Sequence, residues 1–193
     1  PGGNTGTFFL FSPPIKRYMI ISRDQVGNKI LMEKYPQRII SLVPSQTELL
    51  YHLELENETV GITRFCIHPE SWYRSKKRVG GTKNLQLDLI RNLQPDLVIA
   101  NKEENNREEV LALSQYCPVW TSDISTLSDA LEMIREIGRI TNRTEKAASL
   151  AEEIGSGFEC LTPIAPLIPA AYLLWKEPYM AAGGDCFIHQ MMM

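Results

Sequence analysis

Four short apolar, largely β-branched runs punctuate the first two thirds of the chain: Ile39-Ile40-Ser41-Leu42-Val43, Thr59-Val60-Gly61-Ile62, Leu97-Val98-Ile99-Ala100 and Pro118-Val119-Trp120-Thr121. Near-continuous hydrophobicity is what a strand needs when both faces of a parallel sheet are covered. Between these runs the apolar positions switch to helical spacing. Pro44 ends the first run, and Ser45-Gln46-Thr47-Glu48 has the form of a capping box, predicting a helix with Leu49, Leu50 and Leu53 inward. Residues 85–93 predict a short helix with Leu89, Ile90 and Leu93 inward, ended by Gln94-Pro95-Asp96, and residues 106–115 predict another. Strand and helix alternating at this length predict an α/β fold on a parallel sheet with right-handed crossovers.

The flanks have a different texture. Residues 1–17 are rich in Gly and Pro and are expected to form a loose leader. Tyr18-Met19-Ile20-Ile21, the turn signal Val26-Gly27-Asn28-Lys29 and Ile30-Leu31-Met32 predict a hairpin opening an N-terminal lobe over residues 18–125. Leu127, Ala130, Leu131, Ile134 and Ile137, then Ala147, Ala151, Ile154, Phe158 and Leu161, mark two apolar helix faces over residues 126–161. The two helices are expected almost end to end, the second about 25 Å long and able to bridge two lobes, with Gly155 and Gly157 weakening its last turns. After the breakers Pro163, Pro166 and Pro169, a strand at Ala171-Tyr172-Leu173-Leu174-Trp175 and a helix at 185–193 start a second lobe over residues 162–193. One strand and a stub of helix cannot bury their own apolar faces, so this lobe reads as cut short.

Composition narrows the function classes. At 44% hydrophobic and 22% charged the chain suits an ordinary globular protein. A net charge of -3 and one short basic cluster, Arg74 with Lys76-Lys77-Arg78, argue against nucleic acid as a partner. The cysteines at 66, 117, 160 and 186 form no C-x-x-C pair, and Phe8-Phe9-Leu10-Phe11 is too short for an export signal or a membrane span. There is no P-loop, G-x-S-x-G, H-E-x-x-H or G-x-G-x-x-G, so binding is expected before catalysis.

Ligands of open α/β sheets collect outside the carboxyl ends of the strands. Two polar stretches lie there: Phe65-Cys66-Ile67-His68-Pro69-Glu70 through Gly80-Gly81-Thr82-Lys83, and Asn101-Lys102-Glu103-Glu104-Asn105. Cys66 and His68, two apart, would share one side of an extended loop with donors for a soft metal, Glu103, Glu104 or His189 completing the set. The plainer reading buries Cys66 and leaves His68 bonded to the loop. Phe65, Trp72 and Tyr73 suit either an apolar wall for a large ligand or core packing. Glu103 and Glu104 beside Lys102 suit either acid–base chemistry or a solvated helix start.

The strings Gln37-Arg38-Ile39-Ile40-Ser41-Leu42-Val43-Pro44-Ser45-Gln46-Thr47-Glu48, Val60-Gly61-Ile62-Thr63 and Leu93-Gln94-Pro95-Asp96-Leu97-Val98-Ile99-Ala100 resemble the class III, helical-backbone substrate-binding proteins of ABC importers, over about residues 36–192. That resemblance implies two parallel-sheet lobes joined by a long rigid helix beginning at Thr144, with a cobalamin, ferric siderophore or haem ligand clamped between them. It implies an ABC transporter permease as partner, a small-molecule metal chelate as cargo, no intrinsic cofactor, a monomer, and a periplasmic or lipid-anchored location. By the same resemblance Phe65 stands where a cleft aromatic meets the corrin, and Thr82 and Asn101 stand where the cobalamin binders carry tryptophans. Lys83, Lys102, Glu103 and Glu104 make this rim more polar, and Asp88 aligns with the acid that docks on permease arginines. The expected function is therefore capture of a corrinoid or iron chelate without catalysis. The alternatives are a doubly wound α/β enzyme, or a cytoplasmic metal or corrinoid carrier, using Cys66, His68 and Glu104.

Overall fold

The structure is a computed structural model and describes residues 19–162 and 168–193; the expected leader over 1–17 and the breakers Pro163 and Pro166 lie outside those residues. The chain opens with the antiparallel hairpin β1 (Ile20–Arg23) and β2 (Lys29–Met32), as its turn signal predicts. Alternation sets its faces: Ser22, Ile30 and Met32 point inward, while Ile21 and Leu31 face outward.

The central layer follows: β3 (Ile39–Ser41), α1 (Pro44–His52), β4 (Thr59–Ile62), α2 (Glu70–Ser75) and β5 (Lys77–Arg78). A small hairpin of β6 (Gly80–Gly81) and β7 (Asn84–Leu85) leads to α3 (Leu87–Asn92), β8 (Leu97–Asn101), α4 (Arg107–Ser114) and β9 (Val119–Ser122). The strands form one five-stranded sheet in the order β5-β4-β3-β8-β9, every pair parallel. Adjacent side chains go to opposite faces. Ile39, Leu97 and Ile99 join the apolar cluster of Leu49, Leu50, Leu53 and Ile137, whereas Ile40, Val98 and Ala100 join that of Ile90 and Leu113. Both faces are covered, so the predicted α/β sandwich on a parallel sheet is the fold observed.

Local details depart from expectation. The capping box at Ser45 does not form: helix α1 starts one residue earlier, with Pro44 in its first turn, Val43 as an extended N-cap and no side-chain cap bond. Thr47 instead donates its hydroxyl to the Val43 carbonyl at 2.9 Å. Helix α3 is shorter than predicted because Leu85 belongs to β7.

Helices α5 (Leu127–Ile140) and α6 (Thr144–Glu159) do not run end to end. Asn142 takes a left-handed turn at φ 60° and α6 folds back along α5. The pairing of Gly138 with Ala147 and of Leu131 with Gly155 shows the antiparallel packing; a Cβ at Gly138 would lie 2.1 Å from that of Ala147. Both helices carry an apolar stripe, and packing the stripes together and onto the sheet buries more than a straight extension would. Arg143, at the turn, ties it to the sheet layer by an ion pair with Glu58 at 3.0 Å and a bond to the Leu53 carbonyl at 3.1 Å.

The C-terminal stretch is built differently. β10 (Leu173–Trp175) and β11 (Met180–Ala181) form an antiparallel hairpin, followed by α7 (Phe187–Met192), which touches α5. No strand of this stretch joins a parallel sheet among the described residues.

Candidate functional site

The carboxyl ends of β3, β4, β8 and β9 converge on one edge, and a buried polar net ties their loops together. Asn105, only 7% exposed, is its knot. Its Nδ2 donates to the Thr82 carbonyl at 2.9 Å and to the Leu42 carbonyl at 3.4 Å, while its Oδ1 accepts from the Asn101 amide at 2.8 Å. One side chain thus joins the end of β3, the tip of the β6–β7 hairpin and the end of β8. Asn101 adds to it: Oδ1 accepts from the amides of Glu103 and Glu104 at 2.9 and 3.0 Å, and Nδ2 donates to Ser122 Oγ at 3.0 Å. Gln46, buried in α1, donates to the same Ser122 hydroxyl. Loops fastened in this way are pre-shaped, which lowers the ordering cost of binding.

Of the residues singled out in sequence, Phe65, His68, Thr82, Lys83, Asn101, Lys102, Glu103 and Glu104 come to this edge with side chains at least partly open to solvent. Phe65 and its neighbour Ile67 are half exposed, at 50% and 52%. Thr82 and Lys83 form the two-residue turn between β6 and β7. Lys102 meets Asp123 at 2.6 Å, and that hydrogen bond with its charge raises the lysine's pKa. Glu103 and Glu104 project outward, their amides held by Asn101, in the arrangement of a solvated loop cap.

Cys66 and His68 do not share a side. The loop is bent, with the Cys66 amide bonded to the Thr63 carbonyl at 3.1 Å and the Ile67 amide to Phe65 at 2.9 Å, so the two-residue alternation of an extended chain fails. Cys66 is fully buried, its sulfur 3.1 Å from both Thr47 Oγ1 and Thr63 Oγ1, and His68 is exposed. Burial pushes the Cys66 thiol up, against an opposing pull from the two hydroxyls. A buried, protonated thiol is a poor nucleophile and a poor metal ligand. No cluster of three metal-binding side chains occurs among the described residues.

Trp72 is also no part of an apolar wall: it is fully buried, edge-on to Tyr51 at 5.5 Å. Asp88 sits in the first turn of α3, its side chain 94% exposed and 3.5 Å from Arg91.

Two features of the edge were not singled out in sequence. Asn105 closed a polar string without any sign that it would turn inward. Arg64 is exposed and lays its guanidinium on the Phe65 ring, 5.2 Å from the centroid. Its position as the first charge past the β4 run was the available signal.

Residues 39–192 match the family model described as periplasmic binding protein. The chain belongs to that family. It is 30% identical over 126 residues to a vitamin B12-binding protein of Vibrio campbellii, a match covering 65% of this chain and 46% of that protein. It is 28% identical over 142 residues to an uncharacterized ABC transporter substrate-binding lipoprotein, YvrC, of Bacillus subtilis, covering 70% of this chain and 44% of the relative. The fold is shared with the siderophore-binding protein BauB, solved with ferric iron and two acinetobactin molecules, at a TM-score of 0.75 and 17% identity over 90% of this chain and 65% of that one. The chain spans about half the length of the curated relatives it matches.

Proposed function

We propose that this protein is the substrate-binding component of an ABC importer for a corrinoid or an iron chelate, and that it is not an enzyme. The observation carrying this reading is the pre-shaped rim that Asn105 ties together at the carboxyl edge of a parallel sheet, mostly polar with Phe65 and Ile67 exposed on it, in a chain of the periplasmic binding protein family. Phe65 offers ring area and Lys83, Asn101, Lys102, Glu103 and Glu104 offer polar contacts, the mixture that large ligands need. Residues 18–125 would form the first lobe and α6, 16 residues or about 24 Å, the connector. By family analogy the location is the cell envelope, periplasmic or lipid-anchored.

Thermal unfolding of the full-length gene product with cobalamin, cobinamide, haem and a set of ferric siderophores tests the reading. A ligand that binds only the folded state raises the midpoint, by about 2.7 kcal/mol of stability at a hundredfold excess over Kd. No shift with any of them, from a protein that melts cooperatively, overturns it.

Asp88 supplies an exposed carboxylate for carboxylate–arginine docking to the permease. Asp88→Lys is expected to abolish uptake in cells while ligand affinity is unchanged; a parallel loss of affinity refutes docking.

A further inference from the structure

The rim carries charges of both signs, with Glu48 exposed near Cys66 on one side and Arg107 exposed beside Asn101 and Lys102 on the other. On the β8 side, Lys102 is neutralised by Asp123, and Glu103 and Glu104 stand exposed beside it. On the β4 side, Arg64 and Lys83 are exposed and meet no carboxylate among the described residues. Arg74, Arg91, Arg139 and Arg143 each have an acidic partner, whereas Arg23, Arg38 and Arg78 bond to backbone carbonyls instead. Strand β3 lies between β4 and β8, so the two banks are roughly 10 Å apart at the backbone.

The cationic bank is also held in shape. The Arg64 amide bonds to the Gly80 carbonyl at 2.8 Å, which fastens the post-β4 loop to the β6–β7 hairpin. Gly81 then leaves room for the Arg64–Phe65 contact: a Cβ there would stand 3.2 Å from both the guanidinium Nη2 and the Phe65 ring. Glu109 fixes the other side of the hairpin through the Leu85 amide at 3.1 Å, and Asn105 fixes its tip at Thr82. Arg64 stacked on a ring keeps its five N–H donors in the plane of the guanidinium, where carboxylate or phenolate oxygens are met in pairs.

Building on the proposed binding function, we propose that the ligand is an anionic, oxygen-donor chelate, whose carboxylate or phenolate oxygens are held by Arg64 and Lys83 over the Phe65 ring. Cationic hydroxamate chelates lack the group these two cations are placed to meet, and cyanocobalamin, neutral overall, offers one phosphodiester and no carboxylate or phenolate. Charge-assisted bonds are about twice as strong as neutral ones, so removing both cations should be felt mainly by anionic ligands.

Titration calorimetry of the full-length protein with four probes decides the matter: ferric citrate, ferric tris(catecholate), ferrioxamine B and cyanocobalamin. The expected result is that one or both anionic complexes bind at least about tenfold more tightly than the cationic and neutral probes, and that their affinity falls with salt. Citrate against the catecholate separates a carboxylate from a phenolate ligand. The double variant Arg64→Gln, Lys83→Gln should lose about thirtyfold or more for the anionic probe, and Arg64→Lys with native Lys83 should recover part of it. Both positions are exposed, and an unchanged melting midpoint without ligand verifies that the variants fold. Tighter or equal binding of ferrioxamine B or cyanocobalamin overturns the charge assignment and leaves the binding function standing, as does a double variant with unchanged affinity. No binding of any of these probes, or of haem, by folded protein overturns both.

Discussion

The hairpins β1–β2 and β10–β11 are both antiparallel pairs of short apolar strands, yet they end in opposite environments. Ile30 and Met32 of the first are 4% and 6% exposed, whereas Leu173, Trp175 and Met180 of the second are 57%, 65% and 53% exposed. The first is anchored from several directions. Ser22 donates to Glu136 on α5 at 2.6 Å and accepts from Trp120 Nε1 at 3.2 Å, the Gln25 amide bonds to the Thr121 carbonyl at 3.1 Å, and the Asp24 carboxylate accepts from the Thr121 amide at 3.3 Å. These bonds lie along the outer edge of β9, whose open side the hairpin covers. The second hairpin is apolar at Leu173, Leu174 and Trp175 alike, a pattern suited to a strand covered on both faces. What separates the pair is neighbours, since two strands alone are marginal in water.

The largest expected difference between them is in stability. Ile30→Ala should cost about 2–4 kcal/mol by urea denaturation, because it empties a filled core position, and Leu173→Ala less than about 0.5 kcal/mol. Equal losses would show that the second hairpin is packed in solution and would break the contrast.

A smaller effect sharpens it from the electrostatic side. Burial of Glu136 raises its pKa, but bonds from Arg139 and Ser22 outweigh that and hold the carboxyl below its ordinary 4.5. A folded-state pKa below the unfolded one stabilises the protein above the unfolded value, and the gain fades as pH falls through the folded one. Glu136→Gln should therefore cost about 0.5–1 kcal/mol at pH 7, with the gap to the unsubstituted protein closing as pH falls below about 4.5. A gap that stays constant from pH 7 to pH 3 would show that the carboxylate charge does not anchor the hairpin.

Much of the sheet layer was legible in sequence for the same reason that it is stable. Strands β3, β4, β8 and β9 are short β-branched or aromatic runs bounded by Pro, Gly and polar residues, and burial on both faces demands that composition. The start of α1 misled because Ser45 and Glu48 satisfy the capping pattern while Pro44 suits the first helical turn better. The stacking of α6 on α5 escaped because periodicity gives the inward face of each helix and not the angle between them. Cys66 and His68 separated because alternation holds for extended backbone and the loop is a turn.

Sequence by itself determined the α/β class, strands β3, β4, β8 and β9 with helices α1, α3 and α4 among them, the polar loops at the carboxyl edge and the family likeness, since each rests on composition and spacing within a few consecutive residues; α2 and the short strands β5, β6, β7 and β11 were not legible there. Only the tertiary structure decided that Asn105 joins three loops, that Arg64 lies on Phe65 across Gly81, and that Cys66 is sealed beneath Thr47 and Thr63. Each of these depends on hydrogen-bond partners or free space supplied by distant parts of the chain, and a side chain's direction in a loop is set by those partners rather than by its neighbours in sequence.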